Sequence, residues 1–278
     1  MSRAEGVPRP AVFAADRPLV FGHRGGAKLG PENTLPALTR GLAAGADGVE
    51  IDVRRSRDGV AVVIHDATLD RTTDRTGPVE ACTAAELAAV DATCRFVPAA
   101  DVAWTPTRAG VVPLAAVLEA FPAARIIVEV KDDSVELART VADVVRAARA
   151  VPRVCIGSFH RPVVRAVRAW APEITTSASQ PEARRLLLRS HLRWPRLTAP
   201  PFAALQVPQT AGRLTVMSPA FVRQVHREGC VVQVWTVDAP DDVRRLFDWG
   251  ADGVIADRPD LVVPVRDEWH ERRTPRRQ

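Results

Sequence analysis

The chain has 278 residues, 46% hydrophobic and 26% charged, a globular composition that excludes a disordered, collagenous or coiled-coil protein. The balance of 38 basic against 33 acidic residues, a net +5, is too mild and too dispersed to indicate a nucleic-acid partner. No uncharged apolar run reaches the ~18 residues that cross a bilayer. Residues 1–16, interrupted by Arg3, Glu5, Arg9 and Asp16, lack the continuous apolar core of a signal peptide. The expectation is a cytoplasmic protein with no integral membrane association. Cys82, Cys94, Cys155 and Cys230 form no C-x-x-C pair and no zinc spacing. Only two basic residues are lysine, Lys28 and Lys131, so a retained lysine hints that its compact ammonium is wanted.

In chain order, β-branched runs at 19–22, 49–53, 60–64, 126–130, 154–157, 174–177, 203–207, 231–235 and 253–255 predict strands. Amphipathic segments at 134–150, 162–170, 181–192, 219–228 and 241–249 predict helices between them. Alternating β and α at this spacing argues for parallel strands with crossover helices. The length suits one α/β barrel of ~250 residues. Nine strand candidates exceed the eight that such a barrel needs. The excess falls at 49–53 and 60–64, whose connection carries the turn signal Asp58-Gly59 and is too short for a helix. The fold class expected is therefore α/β, a distorted (β/α)8 TIM barrel. Residues 18–265 form the barrel, 66–110 an inserted cap region, 1–17 an N-terminal extension and 266–278 a basic, flexible tail. Gly45-Ala46-Asp47-Gly48-Val49 recurs as Gly250-Ala251-Asp252-Gly253-Val254, which predicts one helix-to-strand turn used twice.

Titratable residues close several predicted strands. Strand side chains alternate faces, so His23 ends the face of Leu19 and Phe21, and Glu50 shares a face with Asp52. His65 ends the face of Ala61 and Val63, and Glu129 and Lys131 end that of Ile127. In a barrel this is the C-terminal rim, where active sites lie. Each group alone has a plain structural reading, as a solvated rim, a capped turn or an ion pair. Four strands ending in this way do not. Three converging carboxylates, Glu50, Asp52 and Glu129, would repel one another unless a divalent cation joined them, and oxygen-only ligands point to Mg2+ or Ca2+. His23 and His65 suit general acid and base work near neutral pH. Arg24 and Lys131 beside the metal suit a phosphate. Together these residues predict metal-assisted cleavage of a phosphoester.

The sequence resembles the glycerophosphodiester phosphodiesterase family. The resemblance rests on His23-Arg24-Gly25-Gly26, Pro31-Glu32-Asn33-Thr34, Glu50-x-Asp52-Val53, Asp58-Gly59, His65-Asp66 and Arg71-Thr72-Thr73. It continues through Glu129-x-Lys131, Ser158-Phe159, Trp235-Thr236 and Asp252-Gly253, with order and spacing agreeing over 19–263. It implies hydrolysis of glycerophosphodiesters to an alcohol and sn-glycerol 3-phosphate. Glu50, Asp52 and Glu129 would hold one divalent cation, Mg2+ or Ca2+. His23 and His65 would be the acid–base pair, and Arg24 and Lys131 would bind phosphate. Trp235 would line the mouth, and Glu32 would support the site from behind. Gly157 departs from the family pattern, which often carries a second Ser before Ser158-Phe159. The alternative activity is that of a lysophospholipase D, whose acyl chain the Trp-rich stretch 194–202 could hold. The remaining histidines, His160, His191, His226 and His270, and Lys28 are expected to be structural or solvated.

Overall fold

The computed structural model describes residues 9–192 and 199–274. In chain order the strands are β1 (Leu19–His23), β2 (Gly48–Arg55), β3 (Ala61–Val63), β4 (Arg125–Val130), β5 (Val154–Gly157) and β6 (Thr175–Thr176). They continue with β7 (Ala204–Pro208), β8 (Thr210–Ala211), β9 (Leu214–Thr215), β10 (Val231–Trp235) and β11 (Gly253–Ala256). The helices are α1 (Leu35–Ala43), α2 (Ala84–Ala88), α3 (Leu114–Ala120), α4 (Val135–Ala147) and α5 (Arg161–Trp170). After them come α6 (Gln180–Leu192), α7 (Pro219–Arg227), α8 (Pro240–Asp248) and α9 (Pro259–Arg273).

Eight strands run parallel in the order β6-β5-β4-β2-β1-β11-β10-β7, and a parallel bridge from Ser177 to Ala204 joins the two ends. This is the expected (β/α)8 barrel. The ninth predicted strand, β3, pairs antiparallel with the outer end of β2 through Val53–Val63, Arg54–Val62 and Arg55–Ala61. The tight Asp58-Gly59 turn, with Gly59 at φ 82°, folds the chain straight back. Thus β2 runs past the barrel rim, and β3 delivers His65 above Asp52, whose carbonyl accepts from Ile64 N at 3.0 Å.

The helices cover the barrel with apolar stripes. In α4, Leu137, Ala138, Val141, Ala142 and Val145 are buried at helical spacing, and the Ser134 side chain caps the start by accepting from Leu137 N. The repeated Gly-Ala-Asp-Gly-Val turn does the same work twice. Asp47 Oδ2 accepts from Val20 N at 2.8 Å, and Asp252 Oδ2 accepts from Val232 N at 2.9 Å. Each carboxylate so ties the start of one strand to the preceding strand in the barrel.

Two predicted boundaries differ from the structure. The N-terminal extension is partly core: Val12 and Phe13 close the barrel bottom against Leu19, Phe21, Ile127 and Ile255. Phe13 meets Phe21 edge-on with ring centroids 6.2 Å apart. Nor is 266–273 a tail. It continues α9, and the fully buried Arg266 pairs with Asp47 and Asp267. The Arg276 and Arg277 part of the tail lies outside the described residues. The inserted region 66–110 has little regular structure beyond α2 and one 3-10 turn, yet its Leu69, Val79, Leu87 and Val90 form a small core with Val62 and Ile64 at β3.

Candidate active site

The C-terminal rim opens into a cavity of about 680 Å3 that contains His23, Arg24, Glu50, His65, Glu129 and Lys131. Strand alternation turns His23, Glu50 and Glu129 inward, while Arg24, His65 and Lys131 follow the ends of β1, β3 and β4. After His23 the chain turns sharply and packs under α1, which starts at Leu35. Arg24 takes φ 50° and Gly25 φ 89°. A Cβ on Gly25 would come within 2.7 Å of Leu38 N, so only glycine allows α1 this close.

The oxygens of Glu50, Asp52 and Glu129 lie within 4.8 Å of one another. Lys131 Nζ bridges two of them, 2.9 Å from Asp52 Oδ1 and 3.0 Å from Glu129 Oε2. Arg24 Nε lies 3.2 Å from Asp52 Oδ2, and Arg24 N donates to Glu50 Oε2 at 3.1 Å. Burial, then the neighbouring Asp52 charge, pushes the Glu50 carboxyl up to about 8. Burial also raises Glu129, against the pull of Lys131. Burial works the same way on Asp52, but Lys131 and Arg24 outweigh it and hold that carboxyl below its ordinary value. Glu129 Oε1 is buried with no hydrogen-bond partner among the described residues. Three converging carboxylates, one with an unused buried oxygen, suit a hard divalent cation, which takes oxygen ligands. The residues present therefore fit the metal that the sequence predicts.

Both histidines are oriented through Nδ1. His23 Nδ1 lies 2.7 Å from Asp257 Oδ1, and its Nε2 lies 4.0 Å from Glu50 Oε2. Burial opposes a charge on His23, yet the Asp257 hydrogen bond and Glu50 raise its pKa overall. His65 Nδ1 lies 2.6 Å from Asp66 Oδ1. Burial dominates at His65, and its pKa is lowered. A carboxylate on Nδ1 keeps that nitrogen protonated and leaves Nε2 for proton transfer.

Glu32 lies behind Arg24. It accepts from Arg24 Nη1 at 2.8 Å and, through both oxygens, from Arg71 at 2.7 Å. Arg71 in turn donates to Asp66 Oδ2 at 2.5 Å. One chain of ion pairs thus joins Arg24 to His65 across the inserted region. Trp235 lines the cavity, its ring edge-on to Phe159 at 6.2 Å.

Asp257, Asn33 and the Asp66–Arg71 pair carry roles that sequence reasoning missed. For Asp257 a signal existed: the alternation Gly253, Ile255, Asp257 follows the rule that selected His23 and His65. Asn33, at φ 59°, donates to Asp52 Oδ2 at 2.9 Å and accepts from Asp52 N at 3.2 Å. Lys28 pairs with Asp238 at 2.6 Å and lies 3.8 Å from Asp257 Oδ2, and His226 Nε2 pairs with Asp252 at 2.9 Å; neither residue lines the cavity. His160 and His270 are also absent from its lining. In the stretch 194–202, residues 194–198 lie outside the described residues, as does the His191 side chain. Phe202 packs against the core beneath Arg168, whose guanidinium lies 5.7 Å from the ring centroid.

Comparison with known proteins identifies the family. The model of the glycerophosphoryl diester phosphodiesterase family matches residues 23–261. A glycerophosphodiester phosphodiesterase of Caldanaerobacter subterraneus subsp. tengcongensis is 31% identical over 248 residues, covering 88% of this chain and 96% of that one. The crystal structure of a putative glycerophosphoryl diester phosphodiesterase from Silicibacter pomeroyi superposes with a TM-score of 0.77 at 25% identity, covering 94% and 97% of the two chains. An Oleispira antarctica phosphodiesterase, solved in complex with the product sn-glycerol-3-phosphate, shares the fold with a TM-score of 0.71 at 24% identity, covering 90% and 97%. The chain belongs to the glycerophosphoryl diester phosphodiesterase family. It is an enzyme, a phosphoric diester hydrolase of the glycerophosphodiester phosphodiesterase type.

Proposed function

We propose that this enzyme hydrolyses glycerophosphodiesters to an alcohol and sn-glycerol 3-phosphate, with His23 and His65 as the proton-transfer pair. The observation that carries this reading is the pair of imidazoles, each held through Nδ1 by its own carboxylate, beside the carboxylate cluster. Glu50, Asp52 and Glu129 are assigned to one Mg2+ or Ca2+, which when bound supplies positive charge to neutralise the phosphate and its transition state. Arg24 and Lys131 bind the phosphate oxygens from the chain's own side. The apolar faces of Trp235 and Phe159 pack on the carbon skeleton at the mouth.

The reaction runs in two steps. His23 Nε2 takes the proton of the glycerol 2-hydroxyl, whose oxygen attacks phosphorus. His65 gives a proton to the departing alcohol oxygen, and a cyclic phosphodiester remains. Water then opens the ring, with His65 taking its proton and His23 returning one to the 2-oxygen. Each histidine contributes ~10²–10⁴-fold.

Phosphorus NMR on glycerophosphocholine and its 2-deoxy analogue tests the scheme. A transient cyclic phosphate from the first and no turnover of the second are expected. Cleavage of the 2-deoxy analogue at a normal rate contradicts the internal nucleophile, and wild-type turnover by His23→Ala contradicts the base.

A further inference from the structure

The floor of the same cavity holds polar groups that this scheme does not use. Gln206 on β7 and Gln233 on β10 are register partners, and Gln206 Nε2 donates to Gln233 Oε1 at 2.8 Å. Gln233 is completely buried, and its Nε2 has no hydrogen-bond partner among the described residues. Ser177 is 2% exposed. Its N–H donates to Ile156 O and its carbonyl accepts from Arg168, but its Oγ makes no hydrogen bond among the described residues. The same holds for Gln206 Oε1.

These groups converge. A Cβ on Gly157 would stand 2.7 Å from Ser177 Oγ and 3.8 Å from Gln206 Oε1. Gly157 is the register partner of Glu129, and Gly157, Ser177, Gln206, Glu129 and His23 line one cavity. The missing side chain at 157 is what leaves the space for the serine hydroxyl. Ser177 and Gln206 line the cavity with a hydroxyl and an amide oxygen that no described protein group engages, so a ligand that covers them must offer hydrogen bonds in return. A hydroxyl both donates and accepts. It would donate to Gln206 Oε1 and accept from Ser177 Oγ, while Gln233 fixes the Gln206 amide. All three residues stand on or beside barrel strands, which hold such a seat rigidly.

We infer that Ser177 and Gln206 form a seat for the free terminal hydroxyl of the substrate's glycerol, the one remote from phosphate. This rests on the proposed phosphodiesterase reading, which places the 2-hydroxyl at His23 and the phosphate at Arg24 and Lys131. The seat makes the substrate class narrower. A 1-acyl lysophospholipid has an ester where this hydroxyl stands and cannot donate to Gln206. The enzyme therefore selects unacylated glycerophosphodiesters over lysophospholipids.

The test compares kcat/KM for glycerophosphocholine, its 1-deoxy analogue and monomeric 1-acyl lysophosphatidylcholine in wild type, Gln206→Leu and Ser177→Ala. Wild type should lose about ten- to a hundredfold on the 1-deoxy analogue and at least as much on the lysophospholipid. Gln206→Leu should lose a similar factor on glycerophosphocholine and no longer distinguish it from the 1-deoxy analogue. Ser177→Ala removes a single oxygen and carries the same comparison if Gln206→Leu fails to fold. Equal turnover of the 1-deoxy analogue by wild type overturns the seat while leaving the phosphodiesterase reading intact. Unchanged discrimination in a folded variant also overturns it. Failure of wild type to cleave glycerophosphocholine contradicts the underlying reading, and the seat with it.

Discussion

His23 Nδ1 lies 2.7 Å from Asp257 Oδ1, across 234 positions of sequence. Strands β1 and β11 are neighbours in the barrel, so the first and last rim positions meet. Asp257 fixes the ring and its tautomer, and its charge raises the pKa of His23. Asp257→Asn should lower activity by about 10²–10⁴-fold, because an amide can hold the wrong tautomer. A base works when deprotonated, so the acidic limb of the pH profile reports His23. That limb should move to lower pH in Asp257→Asn, whereas movement to higher pH would contradict the assignment.

Arg71 holds Asp66, which holds His65. The Arg71 hydrogen bond, foremost, brings the Asp66 carboxyl down to about 2. A carboxyl depressed in the folded state contributes stability above its unfolded value of about 3.9, and loses it as pH falls through the folded value. Arg71→Ala should be less stable than wild type at neutral pH. The difference should shrink as pH falls from about 4 towards 2. Denaturant titrations at several pH values measure it, and a difference independent of pH would count against the linkage.

Asn33 serves Asp52 in a left-handed conformation, at φ 59°. Asn33→Ala forfeits two hydrogen bonds and swaps a residue type that tolerates the left-handed region for one strained there by about 1–2 kcal/mol. With one bond made to a carboxylate, the total loss should be about 2–4 kcal/mol. A melting temperature equal to wild type would show that the Asp52 contact contributes nothing.

Phe13 plugs the far end of the barrel from the site. Phe13→Ala should cost about 3–5 kcal/mol of stability, with little change in turnover by the folded enzyme. Chemical denaturation and active-site titration separate the two effects.

The inward faces of the strands were legible because a period of two is simple, and five rim residues followed from it: His23, Glu50, Asp52, His65 and Glu129. The β2–β3 excursion was legible only as one strand too many, since register is a tertiary property. The N-terminal extension concealed Phe13, because a single aromatic residue before β1 gives no periodic signal. Arg266 read as tail because a buried arginine is recognisable only beside its partners, Asp47 and Asp267. Gln206 and Gln233 read as ordinary strand residues. Their meaning comes from facing each other across a register that sequence alone does not reveal.

Release of sn-glycerol 3-phosphate from glycerophosphocholine tests the central claim most directly. The assay uses EDTA-treated enzyme with Mg2+ or Ca2+ restored, alongside His23→Ala and His65→Ala. The account predicts no release without the cation, recovery with one of the two, and a ~10²–10⁴-fold loss in each variant. Full release by the stripped enzyme, or by either histidine variant, would contradict it.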